Sequence, residues 1–153
     1  MKKFELTSET KINIFGKKLF RIKALVSFGV VKTGETGGWV EKEENVNQSG
    51  DAWVFGNAEV FGNARVSGNA RVSGNARVSG NADYTTIHGF GTQFRTTTFF
   101  RCKDKQVKVS CGYFYGTIPE FREQVKNTRD GKIAEEYLMI ADLMEKHFAE
   151  EAK

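Results

Sequence analysis

The sequence has few residues that bind metals or form disulfides, with two cysteines (Cys102 and Cys111) and two histidines (His88 and His147) among 153 residues. The cysteines form no CxxC motif, and neither histidine has a second ligand at a spacing usual for zinc. The two cysteines flank a predicted hairpin turn in which Cys102 would lie opposite Val107, so we expect reduced thiols rather than a disulfide. The sequence thus predicts neither a metal nor a cofactor.

The chain also lacks a long apolar run, since none approaches the roughly 18 residues that a membrane helix needs. Its first residues, MKKFELTSETK, include two lysines, but polar alternation follows them instead of the apolar stretch of a secretory signal. The composition, 39% hydrophobic and 27% charged, is typical of a globular chain with one core. We therefore expect a cytoplasmic protein that does not bind membranes.

The net charge of +4 is unevenly distributed along the chain. Residues 2–32 contain eight basic and two acidic residues, and residues 84–108 contain five and one, whereas residues 109–153 contain six and nine. Such polarity can attract an acidic or phosphate-bearing partner, although charged segments are more often only solvated surface.

A six-residue repeat occupies the middle of the chain, with the units GDAWVF, GNAEVF, GNARVS, GNARVS, GNARVS and GNADYT from Gly50 to Thr85. An even period keeps corresponding residues on one side of a strand, while a glycine in every six residues disfavours a helix. We expect the valines and alanines of the repeat to point inward, namely Val54, Val60, Val66, Val72 and Val78 with Ala58, Ala64, Ala70, Ala76 and Ala82.

These units resemble the hexapeptide-repeat family, whose fold is a left-handed parallel β-helix with three hexads in each turn. The resemblance implies that residues about 18 apart stack on each other, which places Glu59 over Arg77, Arg65 over Asp83 and a cation–π contact between Trp53 and Arg71. The predicted fold class is therefore mainly β, a short left-handed parallel β-helix with an N-terminal β-hairpin cap and a C-terminal α-helical tail. We divide it into a cap (1–38), the β-helix with closing strands (39–114) and helices (115–153).

The flanks carry signals of their own. "IFGKKLF" (14–20) is typical of a hairpin turn, and residues 94–114 indicate two strands joined by a turn at 103–106. "TIPE" (117–120) has capping-box spacing and predicts a short helix, and a second helix follows Gly131. The second helix has an apolar stripe that we expect to be buried in the same chain or against another subunit, formed by Ile133, Tyr137, Ile140, Ala141, Met144 and Phe148.

Large aromatic residues occupy outward positions in the first hexads, where later hexads have smaller or charged residues: Trp53, Phe55 and Phe61. Exposed aromatic clusters are common in binding hot spots, but the N-terminal hairpin could instead fold over them. The predicted partner-binding set joins these aromatics to basic residues of the repeat and the N-terminal flank, namely Arg65, Arg71, Lys17, Lys18 and Arg21.

Across nearly its whole length, the chain resembles small phage and prophage proteins with a hexapeptide-type core, through "FELT-ET", "LFRIKAL", "GGWVEKEEN", "SGDAWVFGNA", "TTTFFR" and "VSCGYF-GTI-EF". The resemblance implies a phage-associated origin. From the small size, the predicted rigid scaffold, the outward aromatic patch and the lack of a catalytic constellation, we expect a non-catalytic protein that blocks a host protein in the bacterial cytoplasm, such as a component of a defence system of the CRISPR type. The resemblance to hexapeptide proteins favours a trimer and the helical tail equally suits a dimer, so we expect a homo-oligomer. One alternative is a nucleotide- or nucleic-acid-binding module that uses the basic N-terminal flank. Another is an acyltransferase-like enzyme with His88 as its general base.

Overall fold

The computed structural model describes residues 2–112 and 114–149. Eleven strands precede two helices: β1 (Phe4–Ile12), β2 (Lys18–Ala24), β3 (Thr36–Val40), β4 (Trp53–Val54), β5 (Glu59–Val60), β6 (Arg71–Val72), β7 (Arg77–Val78), β8 (Tyr84–Phe90), β9 (Arg95–Arg101), β10 (Val107–Cys111), β11 (Phe114–Thr117), α1 (Ile118–Thr128) and α2 (Gly131–Phe148).

The predicted fold class is wrong, because the described residues form a mixed α/β structure with three separate sheets and no solenoid. One sheet is mixed, in the order β1-β2-β3-β5-β7, the second is antiparallel, in the order β11-β10-β9-β8, and the third pairs β4 with β6 in parallel. The repeat contributes strands of only two residues, and some of them extend the sheet of the N-terminal hairpin. The chain then leaves the hexad pattern at β8 and enters the antiparallel sheet.

The register expected within the repeat is nevertheless confirmed at two positions. Trp53 pairs with Arg71 and Glu59 pairs with Arg77, both in parallel strands. The predicted interior is also confirmed for all five valines and for the first four of the predicted alanines, which are buried. Ala82 is the exception, because it lies in a short 3-10 helix (Asn81–Asp83) and is exposed.

The elements predicted for the flanks are confirmed as well. β1 and β2 form an antiparallel hairpin, and β9 and β10 pair as expected. The predicted register of β9 and β10 is wrong by one residue, because Val107 lies opposite Arg101 and not opposite Cys102. At the start of α1, Thr117 and Glu120 form the capping box. The apolar stripe of α2 is buried within the same chain, against α1 and the antiparallel sheet.

The interior consists of two main hydrophobic cores on opposite sides of β9. The first joins the hairpin to the valines and alanines of the repeat and includes Phe100. The second lies between the antiparallel sheet and the two helices and includes Phe99. The antiparallel sheet therefore separates the repeat from the helices.

Candidate functional site

The most exposed apolar surface near the predicted basic residues is the end of the N-terminal hairpin, residues 12–18, which we call the hairpin tip. The Asn13 side-chain oxygen accepts hydrogen bonds from the backbone N–H groups of Phe15 (2.9 Å) and Lys17 (3.0 Å), which fixes the turn. Ile14 is 77% exposed and Phe15 is 60% exposed, and Ile12 beside them is also exposed. The tip thus presents three large apolar side chains in one ordered turn.

Contacts with the repeat hold the hairpin tip in place. The Phe15 ring lies 6.0 Å from the Phe61 ring, between centroids, and the Arg77 guanidinium lies 5.2 Å from the Phe15 centroid. The Asn13 side-chain nitrogen lies 3.5 Å from a carboxylate oxygen of Glu59. The apolar tip is therefore supported from below by the second and fifth hexads.

Glu59 is a buried carboxylate surrounded by three cations from separate parts of the chain. Its oxygens lie 3.0 Å from Lys11 Nζ, 3.2 Å from Lys103 Nζ and 3.8 Å from Arg77 Nε. Burial acts to raise the pKa of Glu59, but hydrogen bonds and attraction from Lys11 and Lys103 outweigh it, so its pKa lies below the ordinary value. The ionised carboxylate links the hairpin, the repeat and the β9–β10 turn.

The predicted outward aromatic patch is not exposed. Trp53 is fully buried, with its ring 5.8 Å from that of Phe4 and 5.2 Å from that of Phe28. Phe61 is buried in a small cluster with Leu19 and Trp39. The alternative prediction, in which the N-terminal segment folds over these aromatics, is therefore correct. Burial of their apolar surface stabilises the fold more than stacking on an exposed arginine would.

Phe55 and the predicted basic residues of the hairpin have different environments. Phe55 is half-buried. Arg21 is engaged by groups of the same chain, since it donates hydrogen bonds to the Glu9 carboxylate (2.8 Å) and to the Gly37 carbonyl oxygen (2.7 Å). Lys17 and Lys18 are exposed at the C-terminal end of the hairpin tip. Of the three predicted cations of this flank, the two lysines are therefore the ones positioned to meet a partner.

The two predicted arginines of the repeat, Arg65 and Arg71, also lie in different environments. Arg65 is exposed, and its expected partner Asp83 instead forms an ion pair with Arg101 at 3.3 Å. The pairing with Asp83 fails because Asp83 lies in a 3-10 helix that turns its carboxylate toward β9 and Ser79. Arg71 lies in a cleft between the repeat and the antiparallel sheet.

This cleft, which we call the arginine cleft, has a volume of about 220 Å³. Its walls include a carboxylate, Asp51, and several donors and aromatic rings: Phe55, Asn69, Arg71, His88, Phe94 and Arg95. His88, the predicted general base, is exposed, and its Nδ1 lies 2.9 Å from the Thr96 hydroxyl.

Sequence reasoning missed Ile12, Ile14 and Phe15 as surface residues. A signal was present, because turns are usually polar and this predicted turn carries apolar residues at its start. For Glu59 the hexad spacing indicated Arg77, but nothing in the sequence indicated Lys11 and Lys103, which lie outside the repeat.

Within residues 2–112 and 114–149, no three His, Cys, Asp or Glu side chains are grouped closely enough to hold a metal ion. Neither of the helices described above combines the length and apolar character needed to span a bilayer. No model of a protein family matches the chain, and no curated protein matches its sequence.

Proposed function

We propose that the chain is a non-catalytic binding protein that acts by occupying a surface of another protein with its hairpin tip. The observation that carries the proposal is the exposure of Ile12, Ile14 and Phe15 in a turn that Asn13 holds in one conformation. A pre-ordered turn loses little conformational entropy on binding, and a few residues that become fully buried at the centre of an interface provide most of the free energy of association.

The charge around the hairpin tip indicates the chemistry of the partner. Lys17 and Lys18 flank the apolar residues and are exposed. Lys17 forms a long ion pair, 3.9 Å to Glu41. The proposed partner surface is therefore an apolar pocket with an acidic rim, which would accept the isoleucines at its centre and the lysines at its edge.

The resemblance to small phage and prophage proteins supports a partner in the cytoplasm of a bacterial host cell. A component of a defence system, which a phage gains from blocking, is the first candidate. Homo-oligomer formation stays a prediction, and the burial of the α2 stripe within the chain means that this stripe does not supply the contact.

The test compares two substitutions of matched chemistry, Ile14→Glu at the hairpin tip and Met139→Glu on α2, where Met139 is 69% exposed. The wild type and both variants are used as bait in lysate of the bacterial host. Captured proteins are then purified, and their affinity for the wild type and for each variant is measured by calorimetry. We expect one host protein whose affinity falls more than about tenfold with Ile14→Glu and is unchanged with Met139→Glu. The activity of that host protein should be inhibited by one molar equivalent of the wild-type chain.

Two results would overturn the proposal. One is a captured protein that binds the Ile14→Glu variant as tightly as the wild type. The other is a chain that captures no protein at all from cells in which it is active.

A further inference from the structure

The units that contain Arg65, Arg71 and Arg77 have the same six letters, GNARVS, yet the fold gives these arginines three environments. Arg65 is exposed to solvent, and Arg77 lies beside the buried Glu59 carboxylate. Arg71 is half-buried in the arginine cleft. The repeat thus places Arg71 where a ligand could reach it from a concave surface. Arg65 lines a separate cleft, whose walls carry the carboxylates of Glu43 and Glu44.

A second guanidinium group lies in the same cleft. Arg95 approaches from strand β9 and is held by Gln93, whose side-chain oxygen accepts a hydrogen bond of 3.1 Å from it. Among residues 2–112 and 114–149, no carboxylate forms an ion pair with Arg71 or Arg95. Two guanidinium groups without an ion-paired carboxylate at one concave surface match the charge of a phosphate group, which arginine binds through paired hydrogen bonds.

Asp51 also lines the arginine cleft and gives it one negative charge. That carboxylate is attracted by Lys3, whose pKa is lowered by burial and partly restored by Asp51. The cleft therefore keeps an excess of positive charge. His88 and Asn69, on its walls, add further hydrogen-bonding groups.

The walls also carry two aromatic rings. Phe55 is half-buried, whereas Phe94 is 65% exposed at the turn between β8 and β9. Phe94 has a φ of 52°, in the left-handed region that bulky residues rarely adopt. A strained, exposed aromatic residue beside a concave surface is typical of a ligand contact, because folding alone gains nothing from it.

We propose that the arginine cleft binds a small phosphate ester that carries a planar ring, of the size of a nucleoside monophosphate. Arg71 and Arg95 bind the phosphate, and Phe55 and Phe94 contact the ring. The volume of about 220 Å³ is on the scale of a small ligand that stays partly exposed, and is too small to enclose a nucleic-acid duplex. This site is separate from the hairpin tip, so its failure would leave the proposed function untouched.

The test uses isothermal calorimetry with adenosine monophosphate, inorganic phosphate and adenosine as probes. We expect adenosine monophosphate to bind the wild type more tightly than inorganic phosphate or adenosine does. Its affinity should fall about tenfold or more in Arg71→Gln and in Arg95→Gln, as expected for the loss of a charge-assisted hydrogen bond. Arg65→Gln, in an identical repeat unit, is the matched control and should bind like the wild type.

A second variant separates the ring from the phosphate without weakening the fold. Phe94→Asn removes the aromatic ring and places a residue that tolerates positive φ at this position. We expect its affinity for the monophosphate to fall to that for inorganic phosphate, while the latter stays unchanged. The proposal is overturned if the monophosphate does not bind at millimolar concentration, or if Arg65→Gln weakens binding as much as Arg71→Gln does. Equal binding of phosphate and monophosphate to the wild type would overturn the assignment of the ring.

Discussion

Phe99 and Phe100 are consecutive in strand β9, and their side chains belong to two different hydrophobic cores. Phe100 packs with the valines and alanines of the repeat, whereas Phe99 packs with the helices, 6.1 Å from the Phe121 ring. Strand alternation produces this division, because successive side chains point to opposite faces of a sheet. One strand therefore connects the two halves of the molecule.

The first prediction tests whether the two cores respond separately. Phe100→Ala and Phe99→Ala should each lower the free energy of unfolding by about 3–5 kcal/mol, because each leaves a cavity in a close-packed interior. In native-state hydrogen exchange, Phe100→Ala should accelerate exchange mainly in the repeat and Phe99→Ala mainly in α1 and α2. Identical exchange patterns for the two variants would contradict the division.

The second prediction concerns the buried carboxylate of Glu59. Glu59→Gln leaves Lys11, Arg77 and Lys103 without their anion, and we expect a loss of about 3 kcal/mol in unfolding free energy, the lower end for buried pairs because the cations retain some contact with water. The control is Glu9→Gln, which removes an exposed pair with Arg21 and should cost less than about 1 kcal/mol. Urea denaturation of the three proteins at neutral pH measures both values.

The lowered pKa of Glu59 also predicts how the stability difference between the wild type and Glu59→Gln depends on pH. Because the pKa of Glu59 is lowered in the folded state, its stabilising effect is present above the pKa of the unfolded chain and is lost as pH falls through the folded pKa. The stability difference between the wild type and Glu59→Gln should therefore shrink on acidification below the ordinary pKa of glutamate. A difference that grows as the pH falls would show that the carboxylate is not stabilised by its cations.

Local signals predicted the local structure well. The capping box at Thr117, the hairpin turn before Lys18 and the inward valines depend on neighbours in sequence and are confirmed. The fold class failed because identical hexads do not reveal how many residues of each unit form a strand, nor that β3 would join the repeat to an antiparallel hairpin. The prediction of an exposed aromatic patch failed because Trp53 and Phe61 are covered by residues far away in sequence.

The two cysteines should differ in reactivity. Burial, with a contribution from Asp104, raises the pKa of the Cys102 thiol to about 12, so almost none of it is thiolate at pH 8. Cys111 is half-buried, and both residues are free thiols. We expect Ellman's reagent to react with one thiol in the native protein, to lose that reaction in Cys111→Ser and to reach the second thiol only in guanidinium. Fast native labelling that persists in Cys111→Ser would contradict the burial of Cys102.

Gly62 and Gly68 begin identical GNARVS units, and the structure predicts different costs for the same substitution. Both have positive φ (63° and 64°), so alanine at either position should cost about 1–2 kcal/mol in backbone strain. A Cβ at Gly62 would also lie 2.5 Å from the backbone oxygen of Ser79, whereas a Cβ at Gly68 would have no atom within 4 Å. We therefore expect Gly62→Ala to lower the unfolding free energy by at least about 1 kcal/mol more than Gly68→Ala, as overpacking does. Thermal and urea denaturation of both variants measure the difference, and equal losses would show that neighbouring hexads do not approach each other as closely as Gly62 and Ser79 do.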